Sequence, residues 1–309
     1  MTIDLDNDRQ VRALLGLDKD KFLELLEAFR KIFEQQQQEE YKKGKEEGSR
    51  HREPGGGRKG KLPTYADKLF FVLFYLKNYP TFDVLGATFN MDRSKACENL
   101  HKLLPILQKT LKHLGVLPDR EYGSPEELRK AMREVEQILI DATERAHNRP
   151  TDNEKQKEFY SGKKKAHTVK NTVISTVDRE LLYVGRTFTG RNHDYGMFKQ
   201  EFGKGEGWLE GIKAGLDLGY KGIKKDYQGG EIEIPHKKPR KSKNNPNPQL
   251  TEKQKAENRV LSRVRIRVEH AIGGIKRYRI LVHKFRNRME GMFDDVIGIC
   301  AGLWNFFIF

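Results

Sequence analysis

The sequence of 309 residues predicts an all-α region followed by an α/β domain, in which helices flank a mixed sheet. Three observations predict this fold class. Apolar residues recur with helical spacing up to about residue 118, strand-like apolar runs begin near residue 137, and a break containing Pro and Gly separates the two regions. Because the chain exceeds the usual size of one domain, two domains are expected.

The composition indicates a polyanionic partner. The chain has 59 Lys and Arg against 44 Asp and Glu, which gives a formal net charge of +15 at pH 7. Because the positive charge is clustered, nucleic acid is favoured over a basic protein that is merely soluble. Only Cys97 and Cys300 are present, which excludes a disulfide scaffold and a cysteine zinc site. With no signal-peptide core and no apolar stretch of about 20 residues, the sequence predicts a protein without a membrane partner, in the cytoplasm and associated with the nucleoid.

Residues 1–41 form the first predicted region, with a helix over 9–40. The apolar face of this helix is explained either by a dimer contact or, preferably, by packing inside a helical domain. Residues 42–61 hold eight Lys or Arg against three Glu and include Pro54 and three consecutive glycines. Such a segment buries too little apolar surface to order itself, so it is expected to be a flexible basic linker or an arm along DNA phosphates.

Residues 62–118 predict a helix-turn-helix DNA-binding domain. One helix opens at residues 63–65, Thr81 can cap a short second helix, and Asn90-Met91-Asp92 suits a tight turn. A recognition helix contacts bases and phosphates with its N-terminal end. An ordinary helical hairpin would give a similar pattern, but the adjacent basic arm favours DNA binding. The residues predicted to contact DNA are Arg93, Ser94 and Lys95.

From residue 126 to residue 309 the order of elements predicts a ribonuclease H-like α/β domain. This order is three antiparallel strands, a helix, a strand and a late helix. A buried terminal helix is expected at the apolar stretch 296–309. The predicted elements are a helix at 124–134, strands at 137–142, 158–176 (split or bulged) and 180–188 around a hairpin turn at 177–180, a helix at 194–202, a strand at 211–217, a basic insertion loop at 224–252 and a helix at 252–278.

Three carboxylates from distant segments stand out, namely Asp141, Asp217 and Glu269. Asp141 and Asp217 each end an apolar run, and Glu269 lies in a basic helical segment. Hard divalent cations prefer oxygen ligands, and two such ions about 4 Å apart activate both oxygens of an in-line phosphoryl displacement. In so basic a chain these acids indicate a nuclease or strand transferase that acts on DNA.

The predicted late helix places Arg265, Glu269 and Lys276 on one face, because they are separated by four and seven residues. Arg265 and Lys276 could hold DNA phosphates. An ordinary surface helix with an Arg–Glu pair explains the same spacing equally well. In the turn at Lys163, Lys164 and Lys165, contact with DNA and a solvated hairpin are also nearly equal alternatives.

Asp194 competes with Asp217 for the place of second acid. His193-Asp194 lies just before a predicted helix, where Asp194 could simply be an N-cap. Asp217 ends a predicted strand, which directs its carboxylate to the open edge of the sheet. Asp217 is therefore preferred as the second acid, and Asp194 and His193 are expected to support the site without binding the metal ions directly.

The sequence resembles the DDE-type insertion-sequence transposases of the insertion-sequence-five group, which carry an N-terminal helix-turn-helix. Four passages carry the resemblance, and Arg265, Glu269 and Lys276 match the family's spacing of an Arg, a Glu and a Lys. Related families often have a Tyr three residues before the Arg, where this chain has Ser262, a departure that does not affect the three carboxylates. The passages are 139–144 (LIDATE), 160–167 (YSGKKKAH), 190–194 (GRNHD) and 217–220 (DLGY).

The resemblance implies a transposase that binds the terminal inverted repeats of a mobile element, cleaves the element ends and joins them to target DNA. It implies Asp141, Asp217 and Glu269 as ligands for two Mg²⁺ or Mn²⁺ ions. Because two ends must be cut and joined together, a homodimer or higher oligomer is expected. Two alternatives are a catalytically inactive regulator that binds specific DNA and a host repair nuclease.

Overall fold

The computed structural model describes residues 6–55, 57, 60–243, 245–287 and 291–309. The chain divides into two compact units. Unit 1 contains Met1–Leu117, Lys276–His283 and Asn305–Phe309, and unit 2 contains Pro118–Ile275 and Lys284–Trp304. A continuous domain was predicted over 126–309, but two segments of this range, Lys276–His283 and Asn305–Phe309, belong to unit 1. No helix in the described part of the chain is long and apolar enough to cross a membrane.

Unit 1 is all-α. Its helices are α1 (Asp8–Leu15), α2 (Lys19–Glu46), α3 (Tyr65–Asn78), α4 (Phe82–Thr88) and α5 (Arg93–His113), with a 3-10 turn at Arg279–Leu281. The single helix predicted over 9–40 is wrong, because Gly16 ends α1 with a left-handed φ of 80° and the Asp18 side chain caps α2.

The segment predicted as a flexible linker at 42–61 begins as helix, because α2 continues to Glu46. Lys and Glu are good helix formers, and Lys43 and Glu47 form a pair at 3.8 Å at the end of the helix. Gly48, with a φ of 69°, follows the helix end. A basic, Gly-rich composition therefore did not prevent helix formation in the first residues of this segment.

The apolar face of α2 is buried inside unit 1. Phe22, Leu25 and Phe29 are at most 1% exposed, and Phe33 is 3% exposed and packs edge-on against Tyr65 of α3. The packing alternative therefore explains the burial of these side chains.

Helices α4 and α5 form the predicted helix-turn-helix. The Thr81 hydroxyl accepts a hydrogen bond from the Val84 N–H, as expected of a cap. Asn90 adopts a left-handed φ of 53° in the turn. A Cβ at Gly86 would lie 2.5 Å from the Met91 carbonyl oxygen, so this close approach of α4 to the turn requires glycine.

Unit 2 contains a mixed sheet with helices, which confirms the predicted fold class. The strands follow the order β2-β3-β1-β6-β7, and β4 and β5 also pair with β3. The β1–β3 pairing is antiparallel, whereas the β1–β6 and β6–β7 pairings are parallel. The elements are α6 (Pro125–Ala131), β1 (Ile138–Ala146), α7 (Asn153–Phe159), β2 (Tyr160–Ser161), β3 (Ala166–Thr176), β4 (Leu181–Val184), β5 (Phe188–Thr189), α8 (Asp194–Glu201), β6 (Lys213–Leu216), a 3-10 turn (Leu218–Tyr220), α9 (Ile223–Asp226), β7 (Glu231–Glu233), α10 (Glu252–Ile275) and α11 (Met292–Ile308).

Several predicted segments differ from the structure, and the strand predicted over 180–188 is divided into β4 and β5. The loop predicted over 224–252 contains the end of α9 and all of β7, and α10 ends at Ile275 instead of residue 278. In β7, Ile232 is buried between two less buried glutamates. A strand of three residues is too short to show a period in the sequence. The split predicted within 158–176 is present, because α7 ends there and β2 and β3 follow.

The two faces of the sheet have different neighbours. On one face, Ile138, Ile140 and Leu216 join a buried cluster with Phe198 of α8 and Tyr220. On the other face, Leu139 and Gly215 share a small space with Leu261, Val264 and Arg265 of α10. A Cβ at Gly274 would lie 2.4 Å from the Trp304 ring of α11, which explains one glycine inside the late helix.

A candidate active site at the edge of the mixed sheet

Asp141 and Asp217 lie side by side at one edge of the sheet. The last residue pair between the parallel strands β1 and β6 is Ile140 with Leu216. Each aspartate is the next residue in its strand direction. Ligands of open α/β sheets bind outside the carboxyl ends of parallel strands, so this is the expected position of a site.

The strand alternation decides which face Asp141 occupies. Leu139 faces α10, and successive side chains along a strand point to opposite faces, so Asp141 shares the face of Leu139. Arg265 of α10 lines the same space and acts electrostatically on the Asp141 carboxyl. Asp141 is therefore directed toward the helix that carries Glu269.

Asp141 is a partly buried acid with little compensation. The pKa of Asp141 is raised from 3.8 to about 6, chiefly by burial and to a smaller extent by the nearby Asp217 and Asp194 carboxylates. The Ala142 N–H, which donates a hydrogen bond of 2.8 Å to Asp141 Oδ1, and the Arg265 guanidinium oppose this shift. Several acids that crowd together in low dielectric gain most from a bound cation.

Asp217 caps the 3-10 turn that follows β6. Its carboxylate accepts a hydrogen bond from the Gly219 N–H. A Cβ at Gly219 would lie 2.8 Å from Asp217 Oδ1 and 3.8 Å from Asp194 Oδ2. The Asp217 and Asp194 carboxylates therefore approach the same small volume, which glycine leaves open.

Asp194 has a cationic partner. Lys170 of β3 lies 3.0 Å from Asp194 Oδ1 and also donates a hydrogen bond of 2.9 Å to the Asn192 carbonyl oxygen. The Lys170 side chain is 10% exposed. The N-cap interpretation of Asp194 is wrong, because His193 occupies the cap position and Asp194 is the first residue of α8. His193 is exposed and makes no side-chain cap bond.

Two further residues beside the acids, Lys170 and Tyr220, were not predicted from the sequence. Tyr220 is fully buried, and among the described residues its hydroxyl has no hydrogen-bond partner. Burial raises the pKa of Tyr220, and Asp141, Asp194 and Asp217 add to this effect. A lysine in the middle of an otherwise apolar and small-polar strand was a usable signal, because a buried ammonium needs a carboxylate. For Tyr220 the sequence offered no such signal.

Glu269 lies on α10 and is exposed, with 55% of its side chain accessible. It pairs with Arg265 at 3.3 Å, as the surface-helix alternative predicts. In the part of the chain that the structure describes, no three His, Cys, Asp or Glu side chains are grouped closely enough to hold a metal ion. The structure therefore brings Asp141 and Asp217 together but does not group Glu269 with them.

Lys276 lies directly after the last residue of the helix that carries Glu269. Helix α10 ends at Ile275, and Lys276 belongs to the segment 276–283 of unit 1. In that unit Tyr278 is buried, and its ring would lie 3.1 Å from a Cβ added to Gly16. Arg265 and Glu269 therefore share the helix, and Lys276 follows its last residue.

The other predicted DNA contacts are exposed. Arg93, Ser94 and Lys95 form the first turn of α5, and only weak surface pairs hold Arg93 to Asp83 (3.9 Å) and Lys95 to Glu98 (2.8 Å). Lys163, Lys164 and Lys165 lie in the turn between β2 and β3, where Lys165 has a left-handed φ of 51°. The side chains of all six residues are therefore exposed to solvent and accessible to DNA.

Comparison with known proteins identifies the family. A model described as DDE superfamily endonuclease matches residues 140–305, and one described as the helix-turn-helix of DDE superfamily endonuclease matches residues 60–113. The chain is 32% identical over 255 residues to a protein from Microchaete diplosiphon described as the probable transposase for insertion sequence element IS702. This match covers 81% of the chain and 83% of the relative. No solved structure matches.

The chain belongs to the DDE superfamily endonucleases and is a DDE-type insertion-sequence transposase with an N-terminal helix-turn-helix. This conclusion fits the mixed sheet, the exposed first turn of α5 and the acids at the carboxyl edge of β1 and β6. The expected ribonuclease H-like α/β class agrees with the family as well as with the strand order.

Proposed function

We propose that the chain binds the terminal inverted repeats of an insertion sequence, cleaves the element ends and joins their 3′-hydroxyls to target DNA. The observation that carries the proposal is the pair Asp141 and Asp217, adjacent at the carboxyl edge of parallel strands, with the pKa of Asp141 raised to about 6. A non-catalytic DNA-binding protein gains nothing from crowding buried acids in a basic chain. The 32% identical relative, described as a transposase, supports the same activity.

The donor set fits hard divalent cations, two Mg²⁺ or Mn²⁺ ions per site, because carboxylate oxygens are their preferred ligands. Asp141 and Asp217 would hold them with Glu269. Bound there, such ions would supply nucleophile activation and stabilisation of the leaving oxygen. The chain's own contribution is to hold the two aspartates side by side and to keep them partly away from water.

Glu269 must leave Arg265 to join the aspartates. Arginine binds phosphate with two parallel hydrogen bonds, so a DNA phosphate competes with Glu269 for Arg265. Their pair at 3.3 Å is partly exposed, and such a pair contributes little to stability. Arrival of DNA would then free the third acid at the moment when the substrate is present.

The helix-turn-helix would recognise the element end through Arg93, Ser94 and Lys95, and Lys163, Lys164 and Lys165 would bind phosphates near the cleavage site. Lys276, which directly follows the last residue of α10, would also bind phosphate. His193 and Asp194 would support the site without binding the ions. The functional regions would be 1–41, an arm within 42–61, the DNA-binding domain 62–118 and the catalytic domain 126–309.

Two copies would act together, since two ends are cut and joined. The buried face of α2 makes another surface necessary for that assembly. A catalytically inactive, sequence-specific regulator is the second candidate function. The exposed first turn of α5 suits it equally well, because specific binding needs only the helix-turn-helix.

The test is an assay of end cleavage and joining, with DNA from both flanks of the gene and with Mg²⁺, Mn²⁺ or a chelator. We expect cleavage that requires a divalent ion, and Asp141→Asn should abolish it while binding the same DNA. Specific binding without cleavage under every ion condition would favour the regulator. Cleavage of branched DNA with no preference for the flanking repeats would favour a repair nuclease.

A further inference from the structure

The segment 237–243, here called the basic strap, carries exposed positive charges that form no ion pair with the described residues. Its five cations all lie on the surface, and no acid occurs between Ile234 and Thr251. Among the described residues, none of the five forms an ion pair. Other exposed lysines of the chain form ion pairs, such as Lys157 with Glu154 at 2.7 Å. The five cations are Lys237, Lys238, Arg240, Lys241 and Lys243.

The strap is fixed to the first half of α10 just before its first cation. The His236 N–H donates to Asn258 Oδ1 at 2.7 Å, and Asn258 Nδ2 donates back to the His236 carbonyl oxygen at 3.0 Å. The His236 ring lies 2.5 Å from Glu257. On the far side, Thr251 and Gln254 form reciprocal cap bonds of 3.1 and 3.2 Å at the start of α10. Both ends of the loop are therefore held.

The anchor lies on the same stripe of α10 as the candidate site. Asn258, Arg265 and Glu269 are separated by seven and four residues, a spacing that places them on one side of a helix. Eleven residues of helix rise by roughly 16 Å. Each DNA strand carries one phosphate per about 3.4 Å of axis, so this distance corresponds to about five phosphates.

We propose that the basic strap binds the sugar–phosphate backbone of duplex DNA that lies along α10, with its anchor at Asn258 about five phosphates from Glu269. The inference rests on the proposed function for the position of the scissile phosphate. The ligand chemistry itself rests on the strap, whose Lys and Arg side chains suit phosphates and carry no sequence reading. The duplex is either the element end or the target.

The first experiment measures how affinity depends on salt, with the full-length chain and a labelled 30-base-pair duplex of random sequence. Each phosphate contact contributes about 0.9 to the slope of log K against log salt. Lys237→Gln, Lys238→Gln and Lys241→Gln together should lower the slope by about 2.7. The control is Lys21→Gln, Lys157→Gln and Lys204→Gln, which removes the same charge from lysines already paired with acids and should leave the slope unchanged.

A second variant tests the anchor. Asn258→Ala keeps every cation but removes both hydrogen bonds to His236. Its affinity for the random duplex should fall about threefold, a smaller loss than that of the triple strap variant. Equal slopes for the strap variant and its control would overturn the proposal. An Asn258→Ala affinity equal to that of the parent would overturn the role of the anchor.

Cleavage and joining assays then identify which duplex the strap holds. If it holds the element end, the strap variant loses cleavage as well as joining. If it holds the target, cleavage of the end persists and joining to an unrelated duplex falls. Parent-like rates in both steps, with an unchanged salt slope, would overturn the proposal. A parent chain that never cleaves DNA would instead overturn the proposed function, and the slope would still decide whether the strap binds phosphate.

Discussion

Two acids beside the same edge of the sheet, Asp141 and Asp194, differ in how their charge is compensated. Asp141 faces α10, receives one backbone hydrogen bond and has a pKa raised to about 6. Asp194 begins α8, which packs on the opposite face, and it pairs with the buried Lys170 at 3.0 Å. On the proposed function, the acid that would bind a metal ion is the one that forms no ion pair among the described residues, whereas the paired acid would support the structure.

The largest expected effect comes from Asp141→Asn. The amide keeps the shape of the side chain but removes the charge needed to hold a cation, so end cleavage should fall by at least about 10³-fold. Initial rates with Mg²⁺ and with Mn²⁺ measure the effect. DNA affinity should stay within about twofold, because Asp141 is not a phosphate contact. A variant that cleaves as fast as the parent would remove Asp141 from the site.

The next prediction separates Asp217 from Asp194 directly. Asp217→Asn should lower the cleavage rate by about 10³-fold, whereas Asp194→Asn should lower it by less than about tenfold. The reason is that Asp217 is adjacent to Asp141 across the β1–β6 pair, while one Asp194 oxygen is already bonded to Lys170. The same cleavage assay run on both variants decides between them. The reverse order of effects would make Asp194 the second acid.

A third prediction concerns stability and pH. A folded-state pKa of Asp141 raised from 3.8 to about 6 means that the fold favours the neutral form. The stabilisation from this group is complete below pH 4 and is lost as the pH rises through 6. At 1.36 kcal/mol per pKa unit, the charged Asp141 costs up to about 3 kcal/mol of folding free energy at pH 7.5.

Asp141→Asn should therefore be more stable than the parent at pH 7.5, by up to about 3 kcal/mol, and nearly equal to it at pH 4. Urea unfolding at both pH values without divalent ions measures the difference. Addition of Mg²⁺ should stabilise the parent and not the variant, because the ion compensates the charge. An equal or larger advantage of the variant at pH 4 would contradict the sign of the shift.

The sequence predicts the long periodic elements well and the short ones poorly. Helices α3, α5 and α10 and the strands β1 and β3 follow from apolar spacing, whereas β7 has three residues and was predicted as loop. The break at Gly16 had a local signal that was overlooked, because a left-handed glycine ends α1 and the Asp18 side chain caps α2. Arg265 and Glu269 keep their spacing within α10, whereas Lys276 lies one residue past its end.

Individual site residues were predictable only where local sequence sets them. Asp141 and Asp217 end apolar runs, so their position at the sheet edge follows from the strand pattern and is observed. Lys170 meets Asp194 because β3 and the start of α8 come together across 24 residues of sequence, which is tertiary information. The buried Tyr220 hydroxyl is of the same kind.

The smallest expected effect concerns the ion pair of Lys170 with Asp194, which a double-mutant cycle tests. Lys170→Met should destabilise the fold by about 1–3 kcal/mol, because it leaves a partly buried carboxylate without its cation. Asp194→Leu should cost a similar amount for the converse reason. The double variant should recover most of the loss, since a buried pair replaced by apolar groups is often neutral in stability. Urea unfolding at pH 7.5 gives the four free energies. Additive losses would show that the two side chains do not stabilise each other, and Asp194 would then be free to act as an acid like Asp141.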